Sequence, residues 1–151
     1  MWNVLHIIKE RVFPLSKVIF TSTATAKNGR DGHVKSSDGL LDFDLVNPST
    51  NKTDKGTNPE QLFAAAYSAC FDGALNLVAS KEKQNIDSET TADVSFCEDE
   101  SDGGFKIAVA LTVDVQGVDE ETGKELVNKA HQVCPYSKAT RNNVKVTLKT
   151  T

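Results

Sequence analysis

The stretch TNPEQLFAAAYSACFDGALNL, residues 57–77, limits the fold more than any other part of the chain. Asn58 is a good N-cap, Pro59 suits the first helical position, and Gln61 stands where a capping box wants Glu or Gln. From Leu62 onward the segment is almost wholly apolar, which predicts a well-specified helix. Leu62, Phe63, Ala66, Ala74 and Leu77 lie at helical spacing from Cys70 and share its face. Cys70 therefore points into apolar surroundings, where it reads either as a small packing hydrophobe or as a thiol kept for chemistry.

Strands come before and after this helix. In FKIAVALTVDV the residues Phe105, Ile107, Val109, Leu111, Val113 and Val115 fall on one face, and with TTADVSFCE across DESDGG they predict a β-hairpin. Leu41, Phe43 and Leu45 alternate with Asp42 and Asp44 in another half-buried strand. From Lys17, KVIFTSTATA reads as a strand that runs into KNGRDGHV, a turn carrying Arg30. NPSTNKTDKGT is a loop. DEETGKELVNKAHQV opens with acids suited to a helix N-terminus, spaces Leu126, Ala130 and Val133 at helical intervals, and stops at Pro135. NVKVTLKT supplies a last strand after an Asn-Asn turn. Strands and helices in runs indicate an α+β domain over residues 17–151, with residues 1–16 as an N-terminal appendage.

The length of 151 residues suits one domain. A net charge of -4, spread along the chain without a basic block, argues against a nucleic-acid surface. No segment is expected to approach the roughly 20 apolar residues of a membrane span, so no membrane partner is expected. Three cysteines without a close pair fit a cytoplasmic redox context better than a secreted disulfide scaffold, and no secretory signal is expected.

Cys134 precedes a proline, which disfavours helical geometry and places its sulfur at a helix end. It reads as a movable thiol or as filling for the last turn. Cys97 is out of phase with Val94 and Phe96, solvent-facing or at an edge, and receives no role. Arg30, one of only three arginines, sits in a Gly-flanked turn; a planar cation suits stabilisation of a thiolate, and a surface turn charge is the plainer alternative. Glu60 is a first-turn acid favoured by the helix dipole, while Asp38 and Asp42 compete as partners for Arg30. His33, His131 and the cysteines make at most a weak metal set, so neither metal nor cofactor is expected.

Taken together and in this order, NGRDG, TNPEQLFAAAYSACF and VCPYSKATRNN resemble the organic hydroperoxide resistance (Ohr) subfamily of the OsmC/Ohr thiol peroxidases, from about residue 17 to the C-terminus. The resemblance implies antiparallel sheets packed around central helices in an intertwined homodimer, with active sites near the subunit interface. It implies that Cys70 is the peroxidatic cysteine, Cys134 the resolving cysteine, Arg30 the thiolate-stabilising arginine and Glu60 the carboxylate that orients it. The implied activity is reduction of alkyl or fatty-acid hydroperoxides, recycled by a dithiol such as a lipoyl group. Leu62, Phe63, Phe71 and Leu77 are the expected apolar substrate pocket. A non-catalytic redox-sensing or lipid-binding module, or the general OsmC branch, is the alternative. The chain departs from the family pattern at Ala66, Lys138 and Asn142 without losing a reacting group. In a straight helix Glu60 and Cys70 would stand roughly 15 Å apart along the axis, so one arginine serving both predicts a break between about Phe63 and Ala69.

Overall fold

The computed structural model describes residues 16–151. The N-terminal appendage, but for Ser16, lies outside the described residues. Strands β1 (Ala24–Lys27), β2 (His33–Ser36) and β3 (Asp42–Asp44) form a small antiparallel sheet in the order β1-β2-β3. A polar loop leads to helix α1 (Pro59–Lys81), then come β4 (Asp87–Asp99), β5 (Gly104–Gln116), α2 (Glu120–Val133), the short α3 (Pro135–Thr140) and β6 (Lys145–Thr150). The second sheet has the order β4-β5-β6.

The β4–β5 hairpin forms as its alternation requires, with Val94 opposite Val109 and Ala92 opposite Leu111. Strand β6 runs parallel to β5, so this sheet is mixed and not purely antiparallel. The cause is topological: a parallel neighbour needs a crossover, and α2 with α3 supplies it. Pro135 ends α2 and also opens α3, occupying the first-turn position that needs no N–H.

The core lies between the large sheet and the helices. Tyr67, Phe71 and Leu75 of α1, Leu111 and Val113 of β5, and Leu126 and Ala130 of α2 are completely buried there. Contrary to expectation, helix α1 is long and apolar enough to span a bilayer by length and composition. One face of it, with Tyr67, Phe71, Ala74, Leu75, Val78 and Ala79, is instead buried where the helix packs on β4 and α2, while Leu77 stays exposed. Asp72 is held inside this interface by the hydroxyls of Ser88 and Thr90, which donate to it at 2.9 and 3.0 Å.

The first expected strand is shorter than its composition suggests. Residues 17–23 hold no strand, and Val18, Ile19 and Phe20 are exposed, because on that side the four-residue β2 pairs only with Ala24–Lys27. Leu41 and Phe43 are 46% and 41% exposed, and of the three alternating residues only Leu45 is buried. The small sheet makes no extensive packing with the helices or the large sheet among the described residues. It is attached instead through Leu45, whose parallel bridge to Thr57 lays the start of α1 beside β3.

Candidate active site

The turn between β1 and β2 is built to display Arg30. Asn28 and Gly29 both adopt left-handed backbone conformations, with φ of 62° at each, and lead into a 3-10 turn over Gly29–Asp31. Gly32 closes it so tightly that a Cβ there would stand 1.9 Å from the Lys27 carbonyl oxygen. Arg30 reaches across to the first turn of α1, where Nη1 and Nη2 donate to Glu60 Oε2 and Oε1 at 2.9 and 2.6 Å. This bidentate, charge-assisted pair holds the Glu60 carboxyl below its ordinary value and raises that of Arg30. Neither Asp38 nor Asp42 partners Arg30: Asp38 accepts from Ser36, and Asp42 is held by Lys35 and His33.

Helix α1 is unbroken from Pro59 to Lys81, which corrects the expected break. The run from Phe63 to Ala69 contains only good or neutral helix formers, with neither Gly nor Pro to interrupt it. Glu60 and Cys70 of one chain therefore remain about 15 Å apart along the axis and about 80° apart around it. Among the described hydrogen bonds, Arg30 makes none to either cysteine.

The two cysteines do meet. Cys134 lies at the junction of α2 and α3 with φ -57° and ψ 126°, the extended geometry that the following proline imposes. It is completely buried, and its Sγ lies 3.7 Å from Cys70 Sγ, both thiols being reduced. Burial pushes the half-buried Cys70 thiol above its ordinary value, the Tyr136 backbone N–H opposes that shift, and Cys134 adds to it.

A polar lock fixes this junction to α1. The Tyr67 and Ser137 hydroxyls are 2.9 Å apart, Ser137 Oγ lies 2.9 Å from His131 Nδ1, and Arg141 Nη2 donates to the His131 carbonyl at 2.7 Å. Sequence spacing does not single out Tyr67 or Ser137, since the link spans 70 residues and only the fold brings them together.

The expected pocket residues are dispersed. Phe71 is fully buried in the core near His131, Leu62 and Phe63 are at the edge of α1 with Phe63 half-buried, and Leu77 is 52% exposed. Phe63 stands edge-on to Tyr67 and Tyr136. A cavity of about 490 Å³ lies instead beside Arg30, lined by Asn47, Ser49, Phe96, Cys97, Glu98 and Phe105. Cys97 is half-buried on the edge strand β4. Among the described residues, no group of three or more His, Cys, Asp or Glu side chains is placed to hold a metal ion.

An α+β chain with two thiols in contact across the helix core, and a bidentate Arg-Glu pair on a neighbouring turn, defines a cysteine-pair protein. Similarity to known proteins places it more narrowly. A family model described as OsmC-like protein matches residues 52–149. The organic hydroperoxide resistance protein OhrB of Bacillus subtilis is 57% identical over 131 residues, covering 86% of this chain and 96% of that protein. The organic hydroperoxide resistance protein of Xanthomonas axonopodis pv. citri is 48% identical over 87% of this chain and 94% of its own length. The OhrB crystal structure superposes with a TM-score of 0.86 at 55% identity, covering 89% of this chain and all of that one. The chain belongs to the OsmC-like family and, within it, to the organic hydroperoxide resistance subfamily.

Proposed function

We propose that the protein is a thiol-dependent peroxidase that reduces organic hydroperoxides through Cys70 and Cys134. The observation that carries this reading is the 3.7 Å approach of the two sulfurs. A disulfide needs about 2.05 Å, so the pair closes through a small movement at the extended Cys134 junction.

In the first step the Cys70 thiolate attacks the terminal oxygen of ROOH. The O–O bond breaks, the alkoxide takes a proton and leaves as ROH, and Cys70 becomes a sulfenic acid. The Cys134 thiol then attacks that sulfur, water leaves, and the Cys70-Cys134 disulfide forms. An external dithiol, for which a lipoyl group is the expected form, reduces the disulfide and is itself oxidised. Apolar surface from Phe63 beside Tyr67 and Tyr136 favours alkyl over hydrogen peroxide, because each buried methylene contributes about 0.8 kcal/mol. Phe71 supports the site from the core behind it.

The thiolate needs a cation, since burial opposes its charge. Arg30 and Glu60 are the pair for that role, and the unbroken α1 keeps them away from the Cys70 of the same chain. We therefore propose a homodimer in which the Arg30-Glu60 pair of one chain serves the Cys70 of its partner. Exposed Val18, Ile19, Phe20, Leu40 and Phe43 on and beside the small sheet supply apolar surface for such pairing.

The test is consumption of an alkyl hydroperoxide with dihydrolipoamide as reductant. Multiple turnovers by the native chain are expected, with loss of all turnover in Cys70→Ser and a single turnover in Cys134→Ser. No turnover by the fully reduced native chain would leave a sensing or binding module as the better reading.

A further inference from the structure

We infer that Phe96, braced by Phe105, is the positioning residue that fixes the Arg30 guanidinium. The inference rests on the reading of Arg30 as the cation of the peroxidase site.

The β4–β5 hairpin is longer than the helices that cover it. Its core-facing row runs through Ala92 and Val94 on β4 and through Val113, Leu111 and Val109 on β5, and continues to Phe96 and Phe105. Phe96 is registered opposite Ile107, which makes Phe105 its diagonal neighbour on the same face, within reach of an aromatic ring. The two rings stack with centroids 4.7 Å apart and planes 23° apart. At this overhang they are no longer covered by α1 or α2 and stay 47% and 67% exposed.

Arg30 occupies that overhang. Its Cζ lies 4.5 Å from the Phe96 ring centroid, while the end of its fork is committed to Glu60. The two contacts constrain different freedoms. The carboxylate fixes where the nitrogens point, and the ring fixes the tilt of the guanidinium plane about that axis. Phe105 keeps the Phe96 ring from turning away. The turn carrying Arg30 belongs to a small sheet with little other packing on the helices or the large sheet, so this stack is one of few features holding it to the large sheet. A cation over the face of an aromatic ring is attracted by the ring's quadrupole, and that attraction at a partly exposed site corresponds to roughly a two- to fivefold effect.

The experiment measures the pH dependence of Cys70 alkylation by iodoacetamide in the full-length Cys134→Ser background, together with kcat and KM for an alkyl hydroperoxide in the full chain. The variants are Phe96→Leu, Phe96→Tyr, Arg30→Ala and the double variant Arg30→Ala/Phe96→Leu. Phe96→Leu keeps an apolar side chain without a π face; it is expected to move the thiolate titration to higher pH and slow alkylation at pH 7 roughly two- to fivefold. Phe96→Tyr is expected to restore the native profile. Arg30→Ala is expected to be slower still, and Phe96→Leu to add nothing to it, because the ring acts through the guanidinium. Native behaviour of Phe96→Leu, or a loss additive to that of Arg30→Ala, overturns the inference while leaving the Arg30 reading intact. A native profile in Arg30→Ala overturns the Arg30 reading and the inference with it.

Discussion

At the scale of single residues, the chemistry is set by how each charge is compensated. Glu60 is held below its ordinary value of 4.5, first by the hydrogen bonds from Arg30. A carboxylate depressed in the folded state contributes stability that is present above its unfolded value and is lost as pH falls through its folded one. Glu60→Gln is therefore expected to lower the melting temperature most near pH 7, by a loss on the order of 1 kcal/mol because Arg30 is 38% exposed. The gap to the native chain is expected to close as the pH drops below 4.5, which a series of thermal melts will read directly. Tyr67 gives a second case. Tyr67→Phe removes the hydroxyl facing buried Ser137 and is expected to cost about 1 kcal/mol, with slower disulfide closure after peroxide because the Cys134 junction is held less firmly. The approach of Cys70 to Cys134 and the pairing of Arg30 with Glu60 are legible through the motif resemblance, and the Cys134 geometry through Pro135. Phe96 and Ser137 are not, because their partners are distant in sequence and nothing local marks them.

At the scale of elements, periodicity carries far where a face is buried and little where it is not. The hairpin alternation from Val109 to Val115 and the N-capped start of α1 describe real core elements. The same reasoning applied to residues 17–23 fails, since Val18, Ile19 and Phe20 find no cover among the described residues, whereas the strand around Phe43 forms with Leu45 buried. The expected break in α1 fails for a different reason: it rests on one arginine serving two distant groups, although no residue in the segment disfavours a helix. The turn that presents Arg30 is a sharper test of local chemistry. Gly32→Ala would place a methyl 1.9 Å from the Lys27 carbonyl oxygen, so the turn has to open and Arg30 has to leave its partners. Its alkylation profile is expected to match that of Arg30→Ala. Gly29→Ala has a positive φ of 62° but no atom within 4 Å, so it is expected to cost about 1 kcal/mol of stability and to keep the native profile.

At the scale of the whole molecule, one chain holds both pairs of the proposed site but does not bring them together. Cys70 and Cys134 are in contact, Arg30 and Glu60 are in contact, and the continuous helix holds the two pairs apart. The proposed homodimer resolves this, because an isologous interface can set each Arg30-Glu60 pair against the other chain's Cys70. Mixed dimers discriminate between the arrangements. One chain carries Arg30→Ala and the other Cys70→Ser, with different affinity tags so that only the heterodimer is recovered. If the pair acts across the interface, the Cys70 of the first chain meets the intact Arg30 and Glu60 of the second, and one complete site gives roughly half the native turnover per dimer. If the pair acts within its own chain, the surviving Cys70 lacks its arginine and the heterodimer turns over at about half the rate per dimer of the Arg30→Ala homodimer. A native chain that sediments as a monomer while turning over at full rate would sink the arrangement outright, since one chain would then bring Arg30 to Cys70 by a rearrangement of the small sheet.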